Sequence, residues 1–177
     1  MREPVAVNTG KAEMRAAQSL QLRDARVEDL SVIDRLVRGL ARYERLEHEV
    51  RATEQDMRAA LFGAHPKVFA LICEWDGQPA GLCIWFYNFS TFLGRHGIYV
   101  EDIFVEPEHR GRGIGSAIFR HLAQRAVAEG CGRLEWSVLN WNEPAIGFYR
   151  GIGAQAMNDW HIQRVTGEAL RELADSG

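Results

Sequence analysis

The sequence predicts an α+β (mixed α/β) fold, a central mixed sheet flanked by helices. Three observations carry this. The regular elements run in the order β-α-α-β-β-β-α-β-α-β. Two apolar runs are joined by Asp76-Gly77-Gln78-Pro79, a turn in which Gly77 permits positive φ, so a hairpin is built in. A strand ending at Pro107 then passes through a glycine-rich loop into an amphipathic helix and on to another strand, the pattern of a parallel crossover.

The elements follow in order. Residues 1–17 show no strand or helix period and no apolar core of a secretion signal, so residues 1–18 read as a disordered leader or an alternative start, with Met14 a usable initiator. Residues 19–177 read as one domain. Leu20-Gln21-Leu22 alternates as a short strand. Leu30, Ile33, Leu36, Val37, Leu40 and Tyr43 keep helical spacing. Thr53 with Asp56 three residues on begins a second helix, ending near Gly63. Val68–Trp75 and Ala80–Tyr87 are the hairpin strands, Asn88–Gly97 a polar loop and Ile98–Val105 the next strand. Gly115–Glu129 is a helix with Ile114, Ile118, Leu122 and Val127 inward, stopped by Gly130. Arg133–Leu139 is a strand, and Pro144 sits in the first turn of a short helix ending at Gly151 or Gly153. Two short strands, Gln155–Met157 and His161–Val165, and a helix over Gly167–Ala174 complete the chain.

Composition excludes several classes. The 177 residues carry 21 basic and 24 acidic side chains, a net charge of −3, which argues against a nucleic-acid binder. No apolar run approaches the ~18 residues of a membrane span. Cys73, Cys83 and Cys131 are odd in number, without CxxC spacing or a histidine cluster. They read as buried thiols in a reducing, cytoplasmic setting, and no metal site is expected.

The 17 glycines are unevenly placed: Gly111, Gly113 and Gly115 fall within five residues, with Arg110 and Arg112 between and before them and Ile114 and Ser116 beside them. Glycines let backbone N–H groups approach a ligand closely, and a helix start adds unpaired donors and a positive dipole end. The loop is therefore an anion cradle. A P-loop would need a lysine before its Ser or Thr, and Gly115 runs straight into Ser116. The dinucleotide fingerprint fails in both frames, since its third glycine falls on Ser116 or Ile118.

Arg110-x-x-Gly113-x-Gly115, after an apolar strand and before a helix, resembles the acyl-CoA motif of the GNAT N-acetyltransferases. Tyr99-Val-Glu101-Asp102-Ile-Phe-Val105, Trp141-Asn142-Glu143-Pro144-Ala145-x-x-Phe148-Tyr149, and Ala41-Arg-Tyr43-Glu44 followed by Glu49 are similar to the diamine (spermidine/spermine-type) acetyltransferases. The match covers about residues 20–174. It implies the GNAT fold with about six to seven strands, acetyl-CoA as cosubstrate, a small cationic amine as acceptor and a homodimer. It also implies that Arg110 to Ser116, the backbone of Ile103, Phe104 and Val105, and Asn142, Glu143, Pro144, Ala145 and Tyr149 bind the cosubstrate. The polyamine-specific members carry an acid and a tryptophan where this chain has Ser90 and Phe92, and the pattern around them resembles the thialysine acetyltransferase branch.

Amine acetylation requires that an amine of pKa near 10.4 lose its proton and that the departing thiolate gain one. Glu101 and Asp102 interrupt an apolar strand, where simple alternation puts them on opposite faces. They read either as a structural ion pair or as acids facing a wet cleft. The resemblance favours Glu101 as a base acting through water, in a strand opened by a bulge. Tyr149 reads as packing by pattern and as the general acid by resemblance. Asn142 reads as a helix cap. Glu44, Glu47 and Glu49 read as a solvated face or as a funnel for a cation; the resemblance selects Tyr43, Glu44 and Glu49 for the amine side, bordered by Glu135, Trp136 and Ser137. A small-amine acetyltransferase is the leading reading. A protein lysine or N-terminal acetyltransferase and a non-catalytic CoA-binding sensor are the alternatives.

Overall fold

The structure, a computed structural model, describes residues 19–177, so the leader expected over residues 1–18 lies outside the described residues. The chain divides into two units, one ending at Ser137 and one spanning Val138–Gly177. In the first unit five strands form one sheet in the order of the chain: β1 (Leu20–Asp24), β2 (Phe69–Trp75), β3 (Gln78–Ser90), β4 (Arg95–Val105) and β5 (Leu134–Trp136). Neighbours are antiparallel except β4 and β5, which are parallel and joined through α3 (Ile114–Ala128). The helices α1 (Leu30–Glu44) and α2 (Glu54–Phe62) precede β2.

Both faces of the central strands are covered, and this is why β2 and β3 read as continuous apolar runs. On one face Ile33 and Leu36 of α1 and Leu61 of α2 pack with Ala70, Ile72, Leu82, Ile84 and Phe104. On the other, the buried Leu71, Cys73, Cys83, Trp85, Ile98 and Val100 share a face by register, and α3 covers it with Ile114, Ile118 and Leu122. The Arg125 guanidinium of α3 lies 5.1 Å from the centre of the Trp85 ring. The start of α1 is tied down by charge. The buried Asp29 carboxylate accepts from the Arg26 N–H at 2.7 Å and from Arg23 at 2.6 and 2.9 Å, and Arg23 also reaches Glu74 at 2.8 Å.

The register of β3 with β4 carries the feature that shapes the site. Ile84 pairs with Asp102 and Trp85 with Val100, so Glu101 is an extra residue, a β-bulge. Opposed residues share a face. Val100 therefore lies on the α3 face with Trp85, and Asp102 on the α1 face with Ile84 and Phe104. The strict alternation expected for Glu101 and Asp102 does not hold across this bulge. The parallel pairing of β4 with β5 stops at Val100 opposite Trp136, and from Glu101 to Val105 the strand has, among the described residues, β3 alone as a neighbour.

Several expectations need correction. Five strands are present, not six or seven, because residues 155–165 form no strand among the described residues; they lie exposed in the second unit with no partner to complete a ladder. The strand expected over Arg133–Leu139 shrinks to β5. The loop expected over Asn88–Gly97 is mostly sheet. Asn88 pairs with Gly97 and Phe89 with His96, whose rings meet edge to face at 5.2 Å, and only residues 91–94 turn. Gly97 is held there by space, since a Cβ would come within 2.5 Å of the Asn88 side-chain oxygen and 2.7 Å of Arg133. In α3 the inward residue is Ala126, and Val127 is 80% exposed. The second unit holds α4 (Glu143–Gly151) and α5 (Gly167–Asp175). Among the described residues no helix is long and apolar enough to cross a membrane.

One glycine sets how closely α1 approaches the sheet. A Cβ on Gly39 would stand 2.7 Å from the ring of buried Phe104. Alanine gains roughly 1 kcal/mol of helix propensity over glycine, whereas overpacking a core costs about 1–3 kcal/mol. Gly39→Ala is expected to lower unfolding free energy by about 1 kcal/mol in a urea titration. A variant more stable than the parent would show that the ring gives way freely.

Candidate active site

The loop after β4 has the backbone of an anion cradle. Gly111 and Gly113 take left-handed conformations, at φ 74° and 81°, and Gly113 caps α3. Open space lies where their Cβ atoms would be. Among the described residues no protein acceptor takes the backbone N–H groups from Gly111 to Ser116. A run of unfilled donors at the start of a fifteen-residue helix suits a pyrophosphate. The residues therefore fit the phosphate end of an acyl-CoA.

The two arginines of this loop are not loose charges. The Arg110 Nε donates to the Val105 carbonyl at 3.0 Å, and its guanidinium lies 4.8 Å from the Tyr43 ring centre and 5.7 Å from that of Phe104. Arg112 lies over Trp75 at 5.1 Å, and the His109 ring approaches the same indole at 6.4 Å. Trp75 and the ring of Phe104 are contacts that sequence reasoning missed. Trp75 lies far from the loop in the chain and Phe104 just ahead of it, and neither contact has a local signature.

The acids gather on the bulge. Asp102 is half-buried, and burial pushes its carboxyl up to about 6, with Glu101 and Glu44 adding like-charge repulsion. Burial also raises the Glu44 carboxyl at the end of α1, while Glu101 is exposed. Among the described residues none of the three has a cationic partner, so the structural ion-pair reading does not hold. Glu49 is exposed on the 3-10 turn Glu47–Glu49 that follows α1, 3.4 Å from His48.

The β5 residues are engaged. Glu135 pairs with Arg133 at 2.8 Å and accepts from the Asn88 amide at 2.7 Å. The Trp136 ring meets Phe119 edge on at 4.6 Å, and the Ser137 hydroxyl bonds to the Tyr99 hydroxyl at 2.7 Å. Ser90 is buried and its oxygen accepts from the Leu93 N–H at 3.3 Å, while Phe92 is 97% exposed at the hairpin tip.

In the second unit Asn142 caps α4 as expected: its side-chain oxygen accepts from the Ala145 N–H at 3.3 Å, with Pro144 in the first turn after Glu143. Tyr149 lies in the same helix, half-buried, its ring 5.4 Å from that of Phe148. Cys73 and Cys83 are buried, and burial pushes the Cys73 thiol up to about 12; Cys131 is partly exposed.

Comparison with known proteins places this geometry in a family. Residues 32–154 match the model of the acetyltransferase (GNAT) family. The chain is 41% identical over 166 residues to a thialysine N-epsilon-acetyltransferase of Bos taurus, covering 88% of this chain and 97% of that protein. It is 29% identical to an L-ornithine N5-acetyltransferase of Arabidopsis thaliana, over 86% of this chain and 87% of the other. Among solved structures, an integron cassette protein from V. cholerae superposes with a TM-score of 0.74 at 28% identity, covering 89% of this chain and 99% of that one. The chain belongs to the GNAT family of acetyltransferases and is an N-acetyltransferase.

Proposed function

We propose that the protein transfers acetyl from acetyl-CoA to the primary amine of a small cationic substrate, a thialysine- or lysine-like amino acid or a diamine, by direct attack in a ternary complex. One observation carries the reading: a single strand holds unpaired acids at its bulge and runs straight into an anion cradle. Acetyl-CoA supplies the activated acyl group. The Gly111–Ser116 amides hold its phosphates, and the Ile103–Val105 edge, free of a β5 neighbour, lines its arm. Asn142, Glu143, Pro144 and Ala145 contribute the start of α4 to the same task.

A protonated amine is drawn by Glu44 and Asp102, with Tyr43 and Glu49 at the approach and Glu135, Trp136 and Ser137 as a border. Glu101, the exposed acid of the bulge, takes the ammonium proton through a water. The freed nitrogen bonds to the acyl carbon as the carbon–sulfur bond breaks. Tyr149 gives a proton to the sulfur, and the acylated nitrogen releases its surplus proton, which restores the phenol. The relatives named for thialysine and ornithine act on amino acids bearing a side-chain amine, and this supports the substrate class. The family resemblance supports a homodimer, and the free cysteines fit a reducing, cytoplasmic setting.

The reading is tested with labelled acetyl-CoA against thialysine, lysine, ornithine, spermidine and a lysine-containing peptide. Transfer to the amino acids should exceed transfer to spermidine and to the peptide. Transfer confined to the peptide would replace the proposed substrate class. Tyr149→Phe is expected to lower kcat by about 10²-fold or more, and an unchanged kcat at saturation removes it from the mechanism. Glu101→Gln should depress the rate or displace its alkaline limb upward, visible in a pH–rate profile. Asp102 gives a stability test. An unfolded Asp ionises near 3.9 and the folded one near 6, so between these values the folded state holds a proton that the unfolded chain has lost. Stability then falls as pH rises through that window. Asp102→Asn should therefore gain stability relative to the parent at pH 7.5 compared with pH 4, and equal differences at the two pH values would contradict the assignment.

A further inference from the structure

We propose that Arg110 is a positioning residue that couples the acyl-CoA cradle to the amine side of the site through the ring of Tyr43. The inference rests on the acetyl-CoA reading above and deepens it. Arg110 opens the loop whose amides form the cradle, and its side chain turns back toward the helix that carries Glu44. Its Nε is committed to the Val105 carbonyl, the last residue of β4. The guanidinium face rests on Tyr43, one residue before Glu44, and on the edge formed by Phe104. Three parts of the site thus meet at one planar cation: the end of the bulged strand, the entry to the cradle and the last turn of α1.

Packing does not enforce this arrangement. Arg110 is exposed, and a cavity of about 320 Å³ opens beside it, walled by Gly39, Tyr43, Phe104, Glu106 and Pro107. An arginine with that much room stays over the ring because the ring attracts it. The attraction is electrostatic, between the cation and the negative face of the aromatic, and a planar guanidinium stacks where an ammonium does not. A charge that only neutralised phosphate would have no need of a carbonyl and two rings. Held as it is, Arg110 keeps Nε and one face occupied and leaves its terminal amino groups for an anion. The position of Tyr43 then sets the shape of the cradle entry, and a ligand on the cradle in turn fixes the turn of α1 that presents Glu44.

The stacking contact is worth about a 3- to 10-fold change in an equilibrium constant. The test is the equilibrium Kd for CoA, measured by calorimetry on the full chain without amine. Tyr43→Phe keeps the ring face and should bind CoA within about 2-fold of the parent. Tyr43→Leu removes it and should weaken binding about 3- to 10-fold, although Tyr43 is expected on the amine side of the site. Arg110→Lys keeps the charge on an exposed side chain and should weaken binding by a similar factor. The double variant Arg110→Lys with Tyr43→Leu should be no weaker than the worse single variant, since both remove one contact. Thermal unfolding checks that each variant is folded; if Tyr43→Leu is not, Tyr43→Met gives the same comparison. CoA binding by the Leu or Met variant equal to that of the parent, or effects that multiply in the double variant, would overturn the coupling while leaving the acetyl-CoA reading intact. A parent protein that binds no CoA would end both.

Discussion

One extra residue in β4 governs the rest of the site. A strand with strict two-residue alternation would keep Val100 and Asp102 on the same face. The bulge at Glu101 inverts the sequence beyond it. Val100 stays under α3 with Trp85, while Asp102 and Phe104 turn to the α1 side. The same residue marks where β5 leaves β4, so one local irregularity opens the strand edge, lifts Glu101 out to solvent and sets Asp102 beside Glu44. The bulge costs a ladder position, and in exchange it supplies exposed backbone and a pair of neighbouring acids that a regular strand would bury apart.

The electrostatics follow from this placement. A net charge of −3 says little by itself, because many of the charges form ion pairs at the surface. Among the described residues Glu44, Glu101 and Asp102 have no cationic partner, and burial holds the carboxyls of Glu44 and Asp102 above their ordinary range. Such a cluster is uncomfortable alone and improves when a cation enters, which is the electrostatic form of a binding site. At the far end of the same strand the sign reverses, with unfilled amides and two arginines. Arg110 is held at that end by the aromatic faces of Tyr43 and Phe104.

Much of this was legible in the chain, and the failures have physical causes. Elements with strong local grammar were read closely: α2 with its Thr53–Asp56 box, α3 after the glycines, and α4 with Asn142 and Pro144. The glycine spacing disclosed the cradle because left-handed backbone is a local property. The hairpin from Asn88 to Gly97 was misread because its order comes from cross-strand partners, Asn88 with Glu135 and Phe89 with His96, that no local window contains. Residues 155–165 alternate like strands yet pair with nothing in the described chain, since alternation announces a face and cannot provide a partner. The ring contacts of the two arginines were missed for the same reason: the rings that hold them come from α1 and from β2 and β4.

The substrate question narrows to geometry that the hairpin and α1 share. A long polycation needs a second acid well beyond the first amine site, and the position expected for it is Ser90, whose hydroxyl is turned inward to hold the hairpin turn. Phe92, beside it, points into solvent and adds no charge. Three acids without a cationic partner among the described residues, Glu44, Glu101 and Asp102, stand at the bulge and at the end of α1. That arrangement favours one amine presented by a short chain. For an amino acid, the carboxylate at the other end must then lie away from Glu44 and Asp102, which would repel it. Under the proposed reading, the cluster that draws the amine would also orient a zwitterion, its acidic end turned outward and its side-chain nitrogen toward Glu101.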